Sequence, residues 1–156
     1  MRKEKTTKKA GRKVVQSKKI IIDGIQFQST LEGTMYTLLK KAKIPNTYEG
    51  KQFVTLHDNK YPEECYERKT KRSKFMVDER KITGVRYTPD FIGEGCKWVI
   101  EVKGRPNESF PIRWKLFKNE IMRWDVPPII FKPTNKQDCE QVINILKAKG
   151  YGSKNS

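Results

Sequence analysis

Histidine, paired cysteines and long apolar runs are scarce in this chain, and each shortage narrows what it can do. There is one histidine, His57, and the three cysteines, Cys65, Cys96 and Cys139, are widely spaced and odd in number. No C-x-x-C pair occurs, so neither a closed zinc site nor a disulfide framework is expected, and the thiols read as reduced groups of an intracellular protein. His57 stands alone before Asp58 and is expected at the surface rather than as a ligand or base. With no 18-residue apolar run, signal-peptide core or lipidation motif, no membrane partner is expected and the cytoplasm is the expected location. No motif calls for a small-molecule cofactor.

Acidic residues are also in short supply. Against 34 Lys and Arg stand 18 Asp and Glu, a net charge of +16 over 156 residues. Such an excess favours polyanionic partners, and nucleic acid is the partner it best suits. The length allows one compact domain.

The basic residues are not evenly spread. Residues 1–19 hold nine Lys/Arg and one Glu with little to bury, and are expected to form a disordered basic arm that adds phosphate affinity. The domain is expected over 20–150, followed by a frayed tail at 151–156. "IIIDGIQFQS" reads as a hairpin around Asp23-Gly24. "STLEGTMYTLLKKAKIP" reads as a helix, with Leu31, Met35, Leu38, Leu39 and Ala42 at helical spacing and Pro45 beyond its end. "TYEGKQFVTL" reads as one strand. Residues 57–81 break every period and read as a long inserted loop that could protrude toward DNA. Two strands are expected at about 82–92 and 96–103, joined by "GEGC". "ESFPIRWKLFKNEIMRW" reads as a helix and "PPIIFKP" as a short strand. "NKQDCEQVINILKAKG" reads as a helix capped by Asn135 and ended by Gly150. This order predicts an α/β (α+β) fold, a mixed central sheet flanked by helices.

Three charges sit oddly in the expected strand pair "RYTPDFIGEGCKWVIEVKG". Glu101 and Lys103 are two apart in a strand and share a face, while Ile100 and Val102 take the other. The GEGC turn would bring the Asp90 carboxylate beside Glu101, and two adjacent carboxylates stay ionised together only with a cation between them. Mg²⁺ suits such a site, because it takes hard oxygen ligands and keeps several waters, with Mn²⁺ as its substitute. Lys103 on the same face could orient or deprotonate an attacking water, or neutralise charge on a phosphoryl group. The competing reading is a solvated strand face with ordinary ion pairs.

The pattern Pro89-Asp90 followed by Glu101-Val102-Lys103 resembles the signature of the PD-(D/E)XK nuclease superfamily, whose restriction-endonuclease-like core has a similar element order. With "FQSTLE" upstream, it is closest to the phage endonuclease I family of Holliday junction-resolving enzymes. "SxLE…YTPDF…EVK" is also similar to the endonuclease subunit of heteromeric transposases. The resemblance covers roughly residues 25–132 and leaves 57–81 unexplained. It implies Asp90 and Glu101 as metal ligands with the Val102 carbonyl, Lys103 as the catalytic lysine, and Glu32 as a further acidic ligand or water-positioning group. It also implies a Mg²⁺-dependent endodeoxyribonuclease selective for branched DNA, acting as a homodimer in the host cytoplasm if phage-encoded. A transposase-type or restriction-like nuclease is the alternative, and a non-catalytic DNA-binding protein the second.

Glu32 has another job open to it. Ser29-Thr30-Leu31-Glu32 is a capping box, in which the glutamate closes the helix start and need not see a metal. Expected DNA contacts are Lys69, Lys71, Arg72 and Lys74 in the insertion and Arg105, Arg113, Lys115 and Lys118 after the motif. They would bind phosphates with steep salt dependence. Nothing resembles a recognition helix, so sequence-specific cutting is not expected.

Overall fold

A computed structural model describes residues 17–78 and 81–152. The expected basic arm therefore falls, for residues 1–16, outside the described residues. Ser17 donates from its hydroxyl to the Gln28 carbonyl at 3.0 Å.

The chain opens with the hairpin β1 (Ile20–Ile22) and β2 (Ile25–Phe27), turned by Asp23 and Gly24, both at positive φ (53° and 77°). That pair of left-handed residues gives a turn whose twist matches the strands, and an Asp-Gly dipeptide supplies it at little steric cost. Helix α1 (Thr30–Lys41) follows, with Ser29 as N-cap accepting from the Glu32 amide. The expected single strand over 47–56 is two, β3 (Asn46–Tyr48) and β4 (Phe53–Leu56), because Glu49 adopts φ 46° and the chain changes sheet there.

The expected strand at 82–92 is also divided. Its parts are β8 (Lys81–Ile82), β9 (Val85–Tyr87) and β10 (Phe91–Gly93). Pro89 lacks the N–H a continuous ladder needs, and the break between β9 and β10 falls at it. After a 3₁₀ turn at Glu94–Cys96 come β11 (Trp98–Ile100), helix α2 (Phe110–Ile121), β12 (Ile129–Phe131) and helix α3 (Lys136–Ala148). α3 is capped by Asn135 as expected, its side chain accepting from the Asp138 amide.

The central sheet has the order β12-β11-β10-β3, with β11 and β12 parallel and the other neighbours antiparallel. This is the mixed α/β fold anticipated. Both faces of the sheet are covered. Phe91 and Ile100, opposite each other, join Phe27, Met35, Leu39 and the α3 residues Cys139, Val142 and Leu146 in one core. Ile92 and Val99, the next pair, join Phe53, Trp114 and Phe117 of α2 in a second. Continuous burial along β10 and β11 explains why these strands read as apolar runs.

Residues 57–81 are not the expected loop. The pairs β4–β9, β5 (Asn59–Lys60) with β8, and β6 (Tyr66–Glu67) with β7 (Met76–Val77) follow one another along a single antiparallel excursion. Their side chains are exposed, so no apolar alternation marks the strands in the sequence. The start of the tail is held rather than frayed. The Tyr151 amide donates to the Leu146 carbonyl, and its ring meets Trp98 edge-on at 6.5 Å. Among the described residues, no helix is long and apolar enough to cross a membrane.

Gly93 marks the tightest point of this packing, since a Cβ there would enter the ring of the fully buried Trp98. Gly93→Ala is expected to lower the unfolding free energy by about 1–3 kcal/mol, read by urea denaturation. A loss under a few tenths of that would mean Trp98 can move aside.

Candidate active site

The register Phe91↔Ile100 extends one step to set Asp90 against Glu101 at the carboxyl end of β11. Beyond Ile100 the chain keeps its pairing direction, since the Glu101 amide donates to the Phe131 carbonyl at 2.9 Å and the Lys103 amide to the Pro133 carbonyl at 3.0 Å. The Val102 amide points the other way and donates to Asp90 Oδ2 at 2.6 Å. Asp90 is thereby fixed across the strand end by the chain that carries Glu101.

These groups line one cleft of about 210 Å³. Glu32, Asp90, Glu101 and Lys103, the four catalytic residues expected from the sequence, all border it, together with Tyr87 and Arg113. The environment does not suit two free carboxylates. Burial foremost, then the neighbouring charges of Glu101 and Glu32, pushes the Asp90 carboxyl far above its ordinary range, with the Val102 amide and Lys103 pulling back. Burial also raises Glu101, against the Tyr87 hydroxyl and Lys103. Glu101 Oε2 and the Tyr87 hydroxyl are both fully buried without a hydrogen-bond partner of good geometry, although the two side chains are close enough to feel each other. A buried carboxylate oxygen without a donor is costly, and it fits a site built to receive a cation.

Glu32 is differently placed. Its Oε1 accepts from Ser29 Oγ at 2.9 Å, and its Oε2 accepts from the Gln28 amide at 3.1 Å and the Tyr48 hydroxyl at 2.7 Å. With the Glu32 amide donating to Ser29 Oγ at 3.2 Å, one half of the capping box is formed, while the glutamate reaches back to the Gln28 amide rather than to that of Ser29. Glu32 thus borders the cleft with both oxygens already engaged. Among the described residues, no three His, Cys, Asp or Glu side chains are gathered as a ready-made metal cage. Two carboxylates remain, hard oxygen donors of the kind Mg²⁺ takes alongside several waters.

Lys103 leaves its ammonium over the Phe110 ring, 4.9 Å from the centroid, and Lys132 approaches the same ring at 5.9 Å. The ring attracts both cations without neutralising them, and of the two Lys103 borders the cleft. Arg113 donates from Nη2 to the Arg86 carbonyl at 3.0 Å and lies over Tyr87 at 5.9 Å. α2 can present Arg113 here because Asn107 Oδ1 accepts from the Phe110 amide at 2.9 Å and fixes the helix start.

Of the other expected DNA contacts, Arg105 is exposed just past Lys103. Lys115 and Lys118 lie instead on a separate groove of about 480 Å³ with Met122, Pro127 and Ile130. Lys69, Lys71, Arg72 and Lys74 lie at the far end of the β4–β9 excursion and are all exposed. Sequence reasoning missed Tyr48, Tyr87 and Lys132. Tyr87 stands inside the quoted "YTPDF", but nothing in the spacing shows a hydroxyl turned toward Glu101.

The family model for DUF1064, described as a protein of unknown function, matches residues 12–130, about three quarters of the chain, and the chain belongs to that family. No curated protein and no solved structure matches it.

Because Tyr48 supplies one of the donors that quiet the Glu32 charge, Tyr48→Phe is expected to cost about 1 kcal/mol of stability. Glu32→Ala should cost more, about 2 kcal/mol, by removing the cap and leaving the hydroxyl of half-buried Tyr48 without its acceptor. Chemical denaturation of both variants checks the order.

Proposed function

We propose that this chain is a divalent-metal-dependent endodeoxyribonuclease, with Mg²⁺ as the natural ion and Mn²⁺ as a substitute, acting on branched DNA as a homodimer. The observation that carries this reading is the pairing of Asp90 with Glu101 at one strand end, buried, mutually repelling and with Glu101 Oε2 unmatched. When bound, the ion would supply Lewis-acid stabilisation of a phosphoryl oxygen. Asp90 and Glu101 would hold it, with the Val102 carbonyl as the backbone donor.

The protein's own cations then have separable tasks. Lys103, half-buried and held over Phe110, would meet the scissile phosphate and offset the charge that grows on it. Arg113 at the rim would hold a flanking phosphate by charge-assisted hydrogen bonds. The Val102 amide keeps Asp90 aimed into the cleft. Glu32, engaged by three donors, would act on the attacking water through position and charge rather than as a direct ligand. The net charge of +16 draws DNA to the surface without specifying a sequence.

Purified protein is expected to nick a four-way junction faster than a linear duplex or single strand with Mg²⁺ or Mn²⁺, and to stop with a chelator. Equal rates on all three would reject branch selectivity, and binding without any metal-dependent cleavage would reject the enzyme. Lys103→Ala should lower cleavage at least about 100-fold while junction binding persists.

A readout apart from activity follows from the repulsion. Asp90→Asn keeps an acceptor for the Val102 amide but removes a carboxyl whose ionised form burial disfavours. The metal-free variant should be more stable than the parent, by on the order of 1 kcal/mol. The parent alone should gain thermal stability when Mg²⁺ or Mn²⁺ is added. A variant that still responds to the ion like the parent would show that Asp90 is not a ligand.

A further inference from the structure

The excursion that interrupts the domain between β4 and β9 has a charge plan of its own. Its outermost run, "RKTKRSKF" at 68–75, holds Arg68, Lys69, Lys71, Arg72 and Lys74 and no acidic residue. The end is folded, not merely a charged loop. Thr70 and Ser73 exchange hydrogen bonds (Thr70 amide to Ser73 Oγ at 3.0 Å, Ser73 amide to Thr70 Oγ1 at 3.2 Å), and Arg68 Nη1 donates to the Ser73 carbonyl at 2.6 Å. Lys69 also reaches Asp78 at 3.6 Å. Just behind, Tyr66 and Phe75 stack across the strands with centroids 6.1 Å apart, and Phe75 remains 64% exposed. An exposed ring beside five cations is poorly explained by stability, since it shields little apolar surface.

The base of the same excursion forms the wall of the cleft, because Tyr87 ends β9 and borders the carboxylates. Ten residues separate Val77 from Tyr87, so the tip lies no farther than about 33 Å along the chain from the cleft wall. One turn of duplex is about 34–36 Å. A two-stranded ribbon is also of a size that the major groove, about 12 Å wide, admits.

We propose that the tip formed by residues 66–77 is a second DNA contact, which grips duplex within about one helical turn of the phosphate held at the carboxylate cleft. The position of that phosphate rests on the nuclease reading above. The cations hold phosphates on either side of the groove, and Phe75 with Tyr66 gives the tip an apolar edge against the groove wall. The contact reads shape and charge, not sequence. Its consequence is a requirement for duplex of a minimum length on the arm of the substrate that leads away from the cleft.

The experiment uses the full chain and fluorescein-labelled four-way junctions with arms of about 6 or 18 base pairs, spanning either side of the ~10 base pairs in one turn. Affinity is measured without divalent ions from 50 to 200 mM NaCl, about the range over which phosphate contacts weaken steeply. The parent should bind the long-armed junction at least about 10-fold more tightly and with a steeper salt slope. The variant Lys69→Ala/Lys71→Ala/Arg72→Ala/Lys74→Ala should lose that preference, and its slope on long arms should fall by up to about 3.6, near 0.9 for each phosphate contact removed. Lys71→Glu/Arg72→Glu, which leaves the Thr70–Ser73 turn intact, should also lose the preference, with a slope lower by about 2, and guards against local unfolding.

Equal losses on short and long arms would overturn the proposal, because the charges would then act as a diffuse field. So would unchanged DNA affinity with tip-dependent binding to vesicles of anionic phospholipid. Cleavage of the same junctions, followed with Mg²⁺, separates the two readings. No cleavage by any protein, with the arm-length effect on binding intact, would reject the nuclease and leave the duplex contact standing. Cleavage with no arm-length effect on binding would reject the tip contact alone.

Discussion

The antiparallel pairing of β10 with β11 is the constraint on which the rest of the molecule turns. Its register puts Phe91 opposite Ile100 toward α1 and α3, and Ile92 opposite Val99 toward α2. Two cores on opposite faces fix that register, because a slip of one residue would exchange the contents of both. The same step that aligns the cores sets Asp90 against Glu101. Apolar burial therefore holds together two carboxylates that repel, and no hydrogen bond between them is needed. The short turn through Gly95 and Cys96, both in the left-handed region, leaves no slack to relax the pairing.

A site assembled this way is stressed by its own scaffold. The Val102 amide stabilises Asp90, but Glu101 Oε2 has no corresponding donor. By contrast, every charge-bearing oxygen of Glu32 is matched, although Glu32 borders the same cleft. The difference divides the acids by environment: one is part of the architecture that closes the start of α1, and two are buried at a strand end with one oxygen left unmatched. A folded protein tolerates such a local cost when the surrounding packing is extensive, and both cores here close over the strands involved.

Much of this was legible in the sequence, for identifiable reasons. α1 and α3 carry their capping residues and apolar spacing openly, and Asp23-Gly24 declares its turn. The facing of Asp90 and Glu101 follows from strand parity and a short connection, which are both local. What stayed hidden depends on partners distant in the chain. The split at Glu49 needs a φ value, and the β5–β8 and β6–β7 pairings lack any buried face, so their residues alternate with no pattern. Lys115 and Lys118 belong to the same helix as Arg113 but border a different groove, because helical rotation carries them away from the strand ends. Tyr48 reaches Glu32 only because β3 pairs with β10, a contact between residues 16 apart in sequence.

The position of the excursion gains meaning from the same pairing. β4 and β9 are not members of the central sheet, yet Phe53 and Tyr87 at their base are packed in the α2 core with Val99 and Ile92. The ribbon is thus rooted in the core that supports Glu101, while its outer strands are exposed. A rigid root and an exposed cationic end are what an extended contact with a stiff polyanion requires. A flexible loop would lose ordering entropy on each encounter, whereas a paired ribbon has already been ordered by folding. The cations of the tip and Tyr87 at the cleft belong to one excursion of the chain, and Thr88 and Pro89 connect its last strand to Asp90.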